Sequence, residues 1–357
     1  MNLARTQMRI AQVVPVNVPV PPPGYGGIER VVGALTDELV AMGHDVTVFA
    51  SGDSSVKARL EPLCEKSIWA RKEVCDPLGC HLTALEGIVR RAGEFDVWHF
   101  HFNYIHLPFL RRHPELQALT TLHVRLDLPD IKELLKEYQE LPFISISDSQ
   151  RRPVPEAKWL RTVHNGLSRD LYRAGPGGDY LVFLGRFSRE KGLHKAVEIA
   201  RASGKKLKVA GTFDRQQGDY AEQVAALLRD PLVEYIGEVD DRQKQDLFGN
   251  AYATLFPIEW PEPFGLVMIE SLACGTPVIA TPLGAVHEVV DHGRTGFIVN
   301  DVEEAVKALN QVPALKREEC RLVFEQRFSS RAMAEGYLDA YLELTKKQPS
   351  RVLLKGA

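Results

Sequence analysis

The sequence predicts an α/β protein built from two doubly wound, Rossmann-like domains that face each other across a cleft. Three observations carry this. Short apolar strands alternate with amphipathic helices along the chain. The alternation breaks in a turn-rich stretch at residues 168–179 and then restarts. A chain of 357 residues is also long for a single core, given about 150 residues per domain.

Residues 10–16 are apolar and end in a loop of prolines and glycines at 21–27. A helix is expected over 28–42, because Ile28, Val31, Val32, Leu35 and Leu39 recur at helical spacing and Gly43 closes the run. Further strands are expected at 46–50, 96–100, 119–122 and 143–147. Repeated strand-helix-strand units imply a parallel sheet covered on both faces. Tyr172-Arg173-Ala174-Gly175-Pro176-Gly177-Gly178-Asp179 is weakly apolar and reads as a linker. Beyond it, strands are expected at 180–184, 207–210, 233–236, 253–256, 277–280 and 296–299, with a helix over 193–202. A last helix over 331–344 carries Met333, Tyr337, Leu338 and Tyr341 on one side and must bury them, with the domain junction as a candidate place. The predicted units are residues 1–171, residues 172–330, and a closing helix and tail over 331–357.

Composition narrows the function. Hydrophobic residues make up 45% and charged residues 25%, ordinary for a soluble globular protein. A net charge of −3 supplies no strong basic field to attract nucleic acid. No run approaches the roughly 20 apolar residues that span a bilayer. The polar residues 1–7 lead straight into a strand, unlike a signal peptide. The five cysteines are odd in number and irregularly spaced, so they read as reduced thiols, and Cys75 with Cys80 lacks zinc-finger spacing. These features predict the cytosol and no transmembrane segment. The basic pairs Arg90-Arg91, Arg111-Arg112 and Arg151-Arg152 read as solvated surface, which leaves peripheral membrane contact open.

Ligands of open parallel sheets bind beyond the carboxyl ends of the strands, so residues just after strands carry the argument. The densest stretch is 253–280. A constrained loop, Ile258-Glu259-Trp260-Pro261-Glu262-Pro263, is expected to lead into a helix over 264–273. Pro263 sits ahead of the first turn, where a missing N–H does no harm. The free amides of Phe264, Gly265 and Leu266 would form an anion-binding end, and Gly265 would let a ligand approach the backbone. Glu262 and Glu270 would stand roughly 12 Å apart if the separation were helical. That exceeds the about 5–10 Å of paired carboxylates in glycoside hydrolysis. It suits a grip on both ends of a long ligand such as a nucleoside diphosphate sugar. The plain alternative is that one glutamate caps the helix and the other is solvated.

Three smaller clusters follow other strands. Gly185-Arg186-Phe187-Ser188-Arg189-Glu190-Lys191-Gly192 places Arg186 and Lys191 on one loop, where they suit phosphate oxygens; charged loops are also often merely solvated. Gly24-Tyr25-Gly26-Gly27-Ile28-Glu29 opens a helix but lacks the last glycine of the dinucleotide fingerprint, so an anion site competes with a simple turn. His123 ends a strand on the cleft side, with Arg125 and Asp127 just after it. His99 and His101 share a strand face, but no acidic third ligand stands at metal-binding spacing, which favours a structural role. No Asp-x-Asp triplet occurs, so no metal is expected; Arg186, Lys191 and the helix end are the substitutes.

Glu262-Pro263-Phe264-Gly265-Leu266-Val267-Met268-Ile269-Glu270, followed by Cys274-Gly275-Thr276-Pro277-Val278-Ile279-Ala280, resembles the signature of the retaining glycosyltransferases of family four, which have the GT-B architecture. Gly185-Arg186 with Glu190-Lys191-Gly192, Gly26-Gly27-Ile28-Glu29, His123, Asn165-Gly166 and Thr295-Gly296-Phe297 match the family in order. The resemblance therefore covers nearly the whole chain. It implies an acceptor-side first domain and a donor-binding second domain. It implies that Arg186 and Lys191 bind the donor diphosphate and that Glu270 holds the ribose. Glu262 and the amides of Phe264, Gly265 and Leu266 would hold the transferred sugar, which His123 faces across the cleft. Gly26 and Gly27 would lie near the phosphates or acceptor. The implied reaction moves a sugar from an NDP-sugar, UDP-linked first, to a hydroxyl of a sugar, lipid-linked or small-molecule acceptor. It keeps the anomeric configuration and uses no metal or other cofactor. Val124-Arg125 after His123 departs from the small or acidic residue expected there. A sugar-nucleotide epimerase of the same fold and a catalytically silent nucleotide-sugar-binding protein are the competing readings.

Overall fold

The computed structural model describes residues 7–24, 26–71, 73, 76–213 and 218–346. Tyr25, Cys75 and the tail over 347–357 lie outside the described residues. The first half runs β1 (Arg9–Val13), α1 (Gly27–Ala41), β2 (Asp45–Ser51), β3 (Arg59–Cys64), α2 (Pro77–Val89), β4 (Val97–Phe100), α3 (Leu107–Arg112), β5 (Ala118–Leu122), α4 (Pro129–Glu137), β6 (Phe143–Ser145), α5 (Asp148–Arg151) and β7 (Trp159–Thr162). The second runs β8 (Tyr180–Leu184), α6 (Leu193–Ser203), β9 (Leu207–Ala210), α7 (Gly218–Leu227), β10 (Val233–Gly237), α8 (Asp241–Gly249), β11 (Ala251–Phe256), α9 (Leu266–Ala273), β12 (Val278–Ala280), α10 (Val286–Val289), β13 (Gly296–Ile298), α11 (Val302–Leu309), α12 (Arg317–Arg327) and α13 (Ser330–Lys346).

These strands form two wholly parallel sheets, ordered β3-β2-β1-β4-β5-β6-β7 and β10-β9-β8-β11-β12-β13. Central strands such as β4 and β5 are buried along their whole length, including the polar His99, Thr120 and Thr121. Each sheet reverses its strand order once, between β1 and β4 and between β8 and β11. Such reversals open crevices at the strand ends. The glycine loop before α1 leaves the first reversal. The loops over 185–192 and 257–265 leave the second.

Two strands lie where none was expected. β3 and β7 are the edges of the first sheet and only partly buried, and β3 carries Arg59, Glu61 and Pro62. An edge strand has one free side and needs no continuous apolar run, so its signal is weak. The stretch read as a linker is instead packed down. Tyr172 is fully buried and its hydroxyl donates to Asp241 Oδ1 at 2.9 Å. Gly175 N–H donates to Cys274 O at 3.0 Å, and a Cβ on Gly175 would stand 2.3 Å from Gly249 O.

After α12 the chain crosses back beside its first crossing. Ser330 N–H donates to Leu167 O at 2.7 Å, and Leu167 N–H to Phe328 O at 2.9 Å. α13 then buries Met333, Tyr337, Leu338 and Tyr341 in one cluster with Val31 and Leu35 of α1, with Leu119 and Ile144 of the first sheet and with Val163 just after β7. The C-terminal helix thus completes the first domain's core. Among the described residues no helix is long and apolar enough to cross a membrane, and Cys64, Cys80, Cys274 and Cys320 are unbridged.

Arg317 of α12 pins the second domain to its entry segment. Its guanidinium donates to the carbonyls of Gly175 (2.9 Å), Ala251 (3.0 Å), Gly249 (3.0 Å) and Cys274 (3.1 Å) and to Thr276 Oγ1 (2.6 Å). Arg317→Ala strands these acceptors and should cost at least about 3 kcal/mol, read as a lower urea midpoint. Arg317→Lys should recover only part of the loss, because one ammonium cannot reproduce the planar fork.

Candidate active site

The two loops from the second sheet's reversal interlock. Glu259 N–H donates to Glu190 O at 2.8 Å. Gly192 has φ 75°, and a Cβ there would stand 2.0 Å from Pro257 O, so only glycine permits the approach. The result brings Lys191 Nζ 2.5 Å from Glu262 Oε2, with the two side chains 17% and 13% exposed. The same ammonium lies over the Trp260 ring, 5.1 Å from its centroid. Arg125 of the first domain lies over that indole at 5.1 Å and is held by Asp127 at 2.6 and 2.7 Å. A cation and a carboxylate that the sequence placed in separate clusters therefore form one pair.

α9 begins at Leu266, later than the sequence suggested, and Gly265 is its N-cap with φ 85°. That positive φ alone demands glycine there, and a Cβ would in addition stand 2.8 Å from Met268 Cε. The open first-turn amides consequently belong to Gly265, Leu266 and Val267 rather than starting at Phe264. The Phe264 side chain is a core residue, 2% exposed and packed near His164 and Phe328.

Across from this helix start lies the glycine loop. A Cβ on Gly27 would stand 3.3 Å from Leu266 Cδ1, so the two domains touch here. Gly26 has φ 149°, and its Cβ would meet Pro22 at 2.8 Å, which satisfies the simple turn explanation for that glycine. Gly26, Gly27, Arg186, Leu266, Val267 and Glu270 line one cleft. Lys191, Glu262, Phe264, Gly265 and His123 do not line that cleft.

Glu270 is not the solvated side chain of the plain alternative. It is 2% exposed, and its Oε1 takes a hydrogen bond from Lys244 Nζ at 2.7 Å. Lys244 is also 4.0 Å from Asp241, which accepts from Arg30 of α1 and from Tyr172. Lys244 and Arg30 both line the cleft, and the sequence reading singled out neither. Arg30 directly follows the Gly26-Gly27-Ile28-Glu29 run and was open to notice. Lys244 sits in α8 behind a capping box, with nothing local to mark it.

His123 stands half-buried after β5, with Nε2 3.0 Å from His101 Nδ1. Burial pushes its pKa down to about 3 and holds His99 and His101 well below the usual value, so all three are neutral imidazoles near pH 7. His99 and His101 do share a face, with ring centroids 4.0 Å apart, and both are hydrogen-bonded to buried side chains. Among the described residues no three His, Cys, Asp or Glu side chains are grouped to hold a metal ion. The seam between the domains is closed farther along by Glu288, which accepts from Asp148 N–H (2.7 Å) and Ser149 N–H (2.8 Å) and meets His164 at 3.0 Å.

Glu29, at the start of α1, is 5% exposed, and burial pushes its pKa up to about 7 against an ordinary 4.5. The folded state therefore holds this proton more tightly than the unfolded chain. The stability so gained is complete below pH 4.5 and is lost as pH rises through about 7. Glu29→Gln should raise stability at pH 8 by up to about 3 kcal/mol and leave it unchanged at pH 4. Urea unfolding of both proteins at the two pH values checks this.

Comparison with known proteins agrees with this architecture. The family model described as Glycosyltransferase Family 4 matches residues 25–171, and that described as Glycosyl transferases group 1 matches residues 171–331. A phosphatidyl-myo-inositol mannosyltransferase of Mycobacterium leprae is 27% identical over 348 residues, covering 88% of this chain and 89% of that one. A D-inositol 3-phosphate glycosyltransferase of Pseudarthrobacter chlorophenolicus is 26% identical, covering 82% and 83%. Among solved structures, AviGT4, a glycosyltransferase involved in avilamycin A biosynthesis, superposes with a TM-score of 0.72 at 24% identity, covering 96% of this chain and 99% of that one. Anabaena HepE in complex with UDP and glucose superposes with a TM-score of 0.72 at 19% identity, covering 93% and 99%. Two adjoining family matches and the shared two-sheet fold lead to one conclusion: the chain belongs to the family-four glycosyltransferases of GT-B architecture.

Proposed function

We propose that this glycosyltransferase moves a sugar from an NDP-sugar, with UDP-sugars the first donors to test, to a hydroxyl of a sugar, lipid-linked or small-molecule acceptor. The reaction retains the anomeric configuration, needs no metal ion and takes place in the cytosol. One observation carries the reading. Two carboxylates, each matched by an ammonium group, stand before and within α9, whose open first-turn amides lie between them in the chain. At one end Glu270 meets Lys244, at the other Glu262 meets Lys191, and Arg186 shares a loop with Lys191 and a cleft with Glu270.

In this reading Glu270 accepts from the ribose hydroxyls and Glu262 from the transferred sugar. Arg186 and Lys191 take the diphosphate, with the Gly265, Leu266 and Val267 amides and the backbone at Gly26 and Gly27 alongside. His123 faces the sugar. As the bond from the anomeric carbon to phosphate breaks, these fixed cations offset the charge growing on the leaving oxygen. The acceptor hydroxyl attacks from the same face and gives its proton to that oxygen, so the configuration is kept. The HepE structures with UDP and with UDP-glucose support a uridine donor for this fold.

Arg186→Ala, Lys191→Ala and Glu262→Ala should each lower UDP-sugar transfer or hydrolysis by about 10²–10³-fold, with melting unchanged for Arg186→Ala and lowered for the two that break the Lys191–Glu262 pair. Undiminished turnover in all three sinks the proposal. EDTA should leave the wild-type rate unchanged, and proton NMR of the product should show the donor's anomer. Interconversion of an NDP-sugar without acceptor would favour the epimerase reading instead.

A further inference from the structure

Behind His123 runs a chain of hydrogen bonds that the proposed reaction does not use. His101 Nδ1 lies 3.0 Å from His123 Nε2, and His101 Nε2 lies 2.8 Å from Gln12 Oε1. Gln12 Nε2 donates to the Tyr341 hydroxyl of α13 at 3.0 Å. That hydroxyl lies 2.8 Å from His99 Nδ1, and His99 Nε2 lies 2.7 Å from Thr121 Oγ1. Gln12, His99, His101, Thr121 and Tyr341 are all completely buried. Their donors and acceptors must therefore be satisfied within the core, by one another and by the buried Tyr337, whose hydroxyl accepts from Thr121 Oγ1 at 3.1 Å.

A neutral imidazole has one N–H and one bare nitrogen, so the bonds can be followed outward. Gln12 Oε1 can only accept, hence His101 Nε2 carries a hydrogen. His101 Nδ1 is then bare, and His123 Nε2 must donate to it. His123 Nδ1 is left as a lone pair. At the other side, the Tyr341 oxygen accepts from the Gln12 amide and its own hydrogen goes to His99 Nδ1. Turning the Gln12 amide over would reverse every bond and put the hydrogen on His123 Nδ1.

We propose that Gln12, His101 and Tyr341 are positioning residues that hold His123 as its Nε2–H tautomer, so that His123 offers an unprotonated Nδ1 to a substrate hydroxyl. The tautomer follows from the orientation of the Gln12 amide. Its use on substrate rests on the glycosyltransfer reading above.

Long-range ¹H–¹⁵N correlation spectra of the full chain, labelled at histidine, report the tautomer in the resting protein. The expected result is a protonated-type signal for His123 Nε2 and a bare-type signal for Nδ1. Tyr341→Phe removes only the hydroxyl. It should shift the His123 signals towards the other tautomer and lower kcat about tenfold, with UDP affinity by calorimetry and the donor KM within about twofold. A hydrogen on His123 Nδ1 in the unaltered protein overturns the proposal, even if the variant fails to fold. So does a folded Tyr341→Phe protein with unchanged His123 signals and kcat. Failure of the glycosyltransfer reading would show separately, as absence of turnover with every NDP-sugar while the resting spectrum keeps the expected tautomer.

Discussion

The pairing of Lys191 with Glu262 is the contact on which the site's layout depends. It joins the two loops that leave the reversal of the second sheet, and both charges are largely withdrawn from water. Removing either partner alone would leave the other half-buried and uncompensated, which is costly. The approach of Gly192 to Pro257 and the bond from Glu259 to Glu190 hold the loops at the spacing the pair needs. Trp260 then serves as a platform between Lys191 and Arg125, which extends the constraint into the first domain.

The same principle recurs deeper in the cleft. Glu270 is buried against Lys244, and the partly exposed Asp241 accepts from Arg30 and Tyr172. Because Arg30 belongs to α1 and Asp241 to α8, this network is also a strut between the domains. A ligand that brings its own hydroxyls and phosphates would exchange contacts with groups already charged and oriented, which limits the cost of ordering them. The groups nearest the proposed donor are thus the ones that hold the cleft together without it.

The return of the chain links the site to its own C-terminal helix. α13 fills the first domain's core, and its Tyr341 closes the buried chain that ends at His123. Packing and site chemistry are served by the same residue. The apolar side of the helix was plain from its spacing, whereas the hydroxyl's partners, Gln12 and His99, lie 329 and 242 residues earlier in the chain.

Much of this protein is written locally. The period of the apolar residues, the glycines at sharp turns and the Glu262–Glu270 signature were enough for two doubly wound domains and for Gly26, Gly27, Arg186, Leu266 and Glu270 among the residues that line the cleft. The edge strands β3 and β7 escaped because a half-exposed strand needs no apolar run, and Tyr172 was taken for linker because its burial is decided by α8. Gly265 and Gly26 were visible as glycines, but only the backbone angles showed that both are demanded by conformation. Ion pairs and buried hydrogen bonds join residues far apart in sequence, and neither has a local pattern. Local patterns carry the architecture and the kinds of group at the cleft. That Lys191 faces Glu262, that Lys244 faces Glu270 and that Tyr341 stands behind His123 depends on the folded chain, because a charge or a buried donor is satisfied by what folding brings beside it.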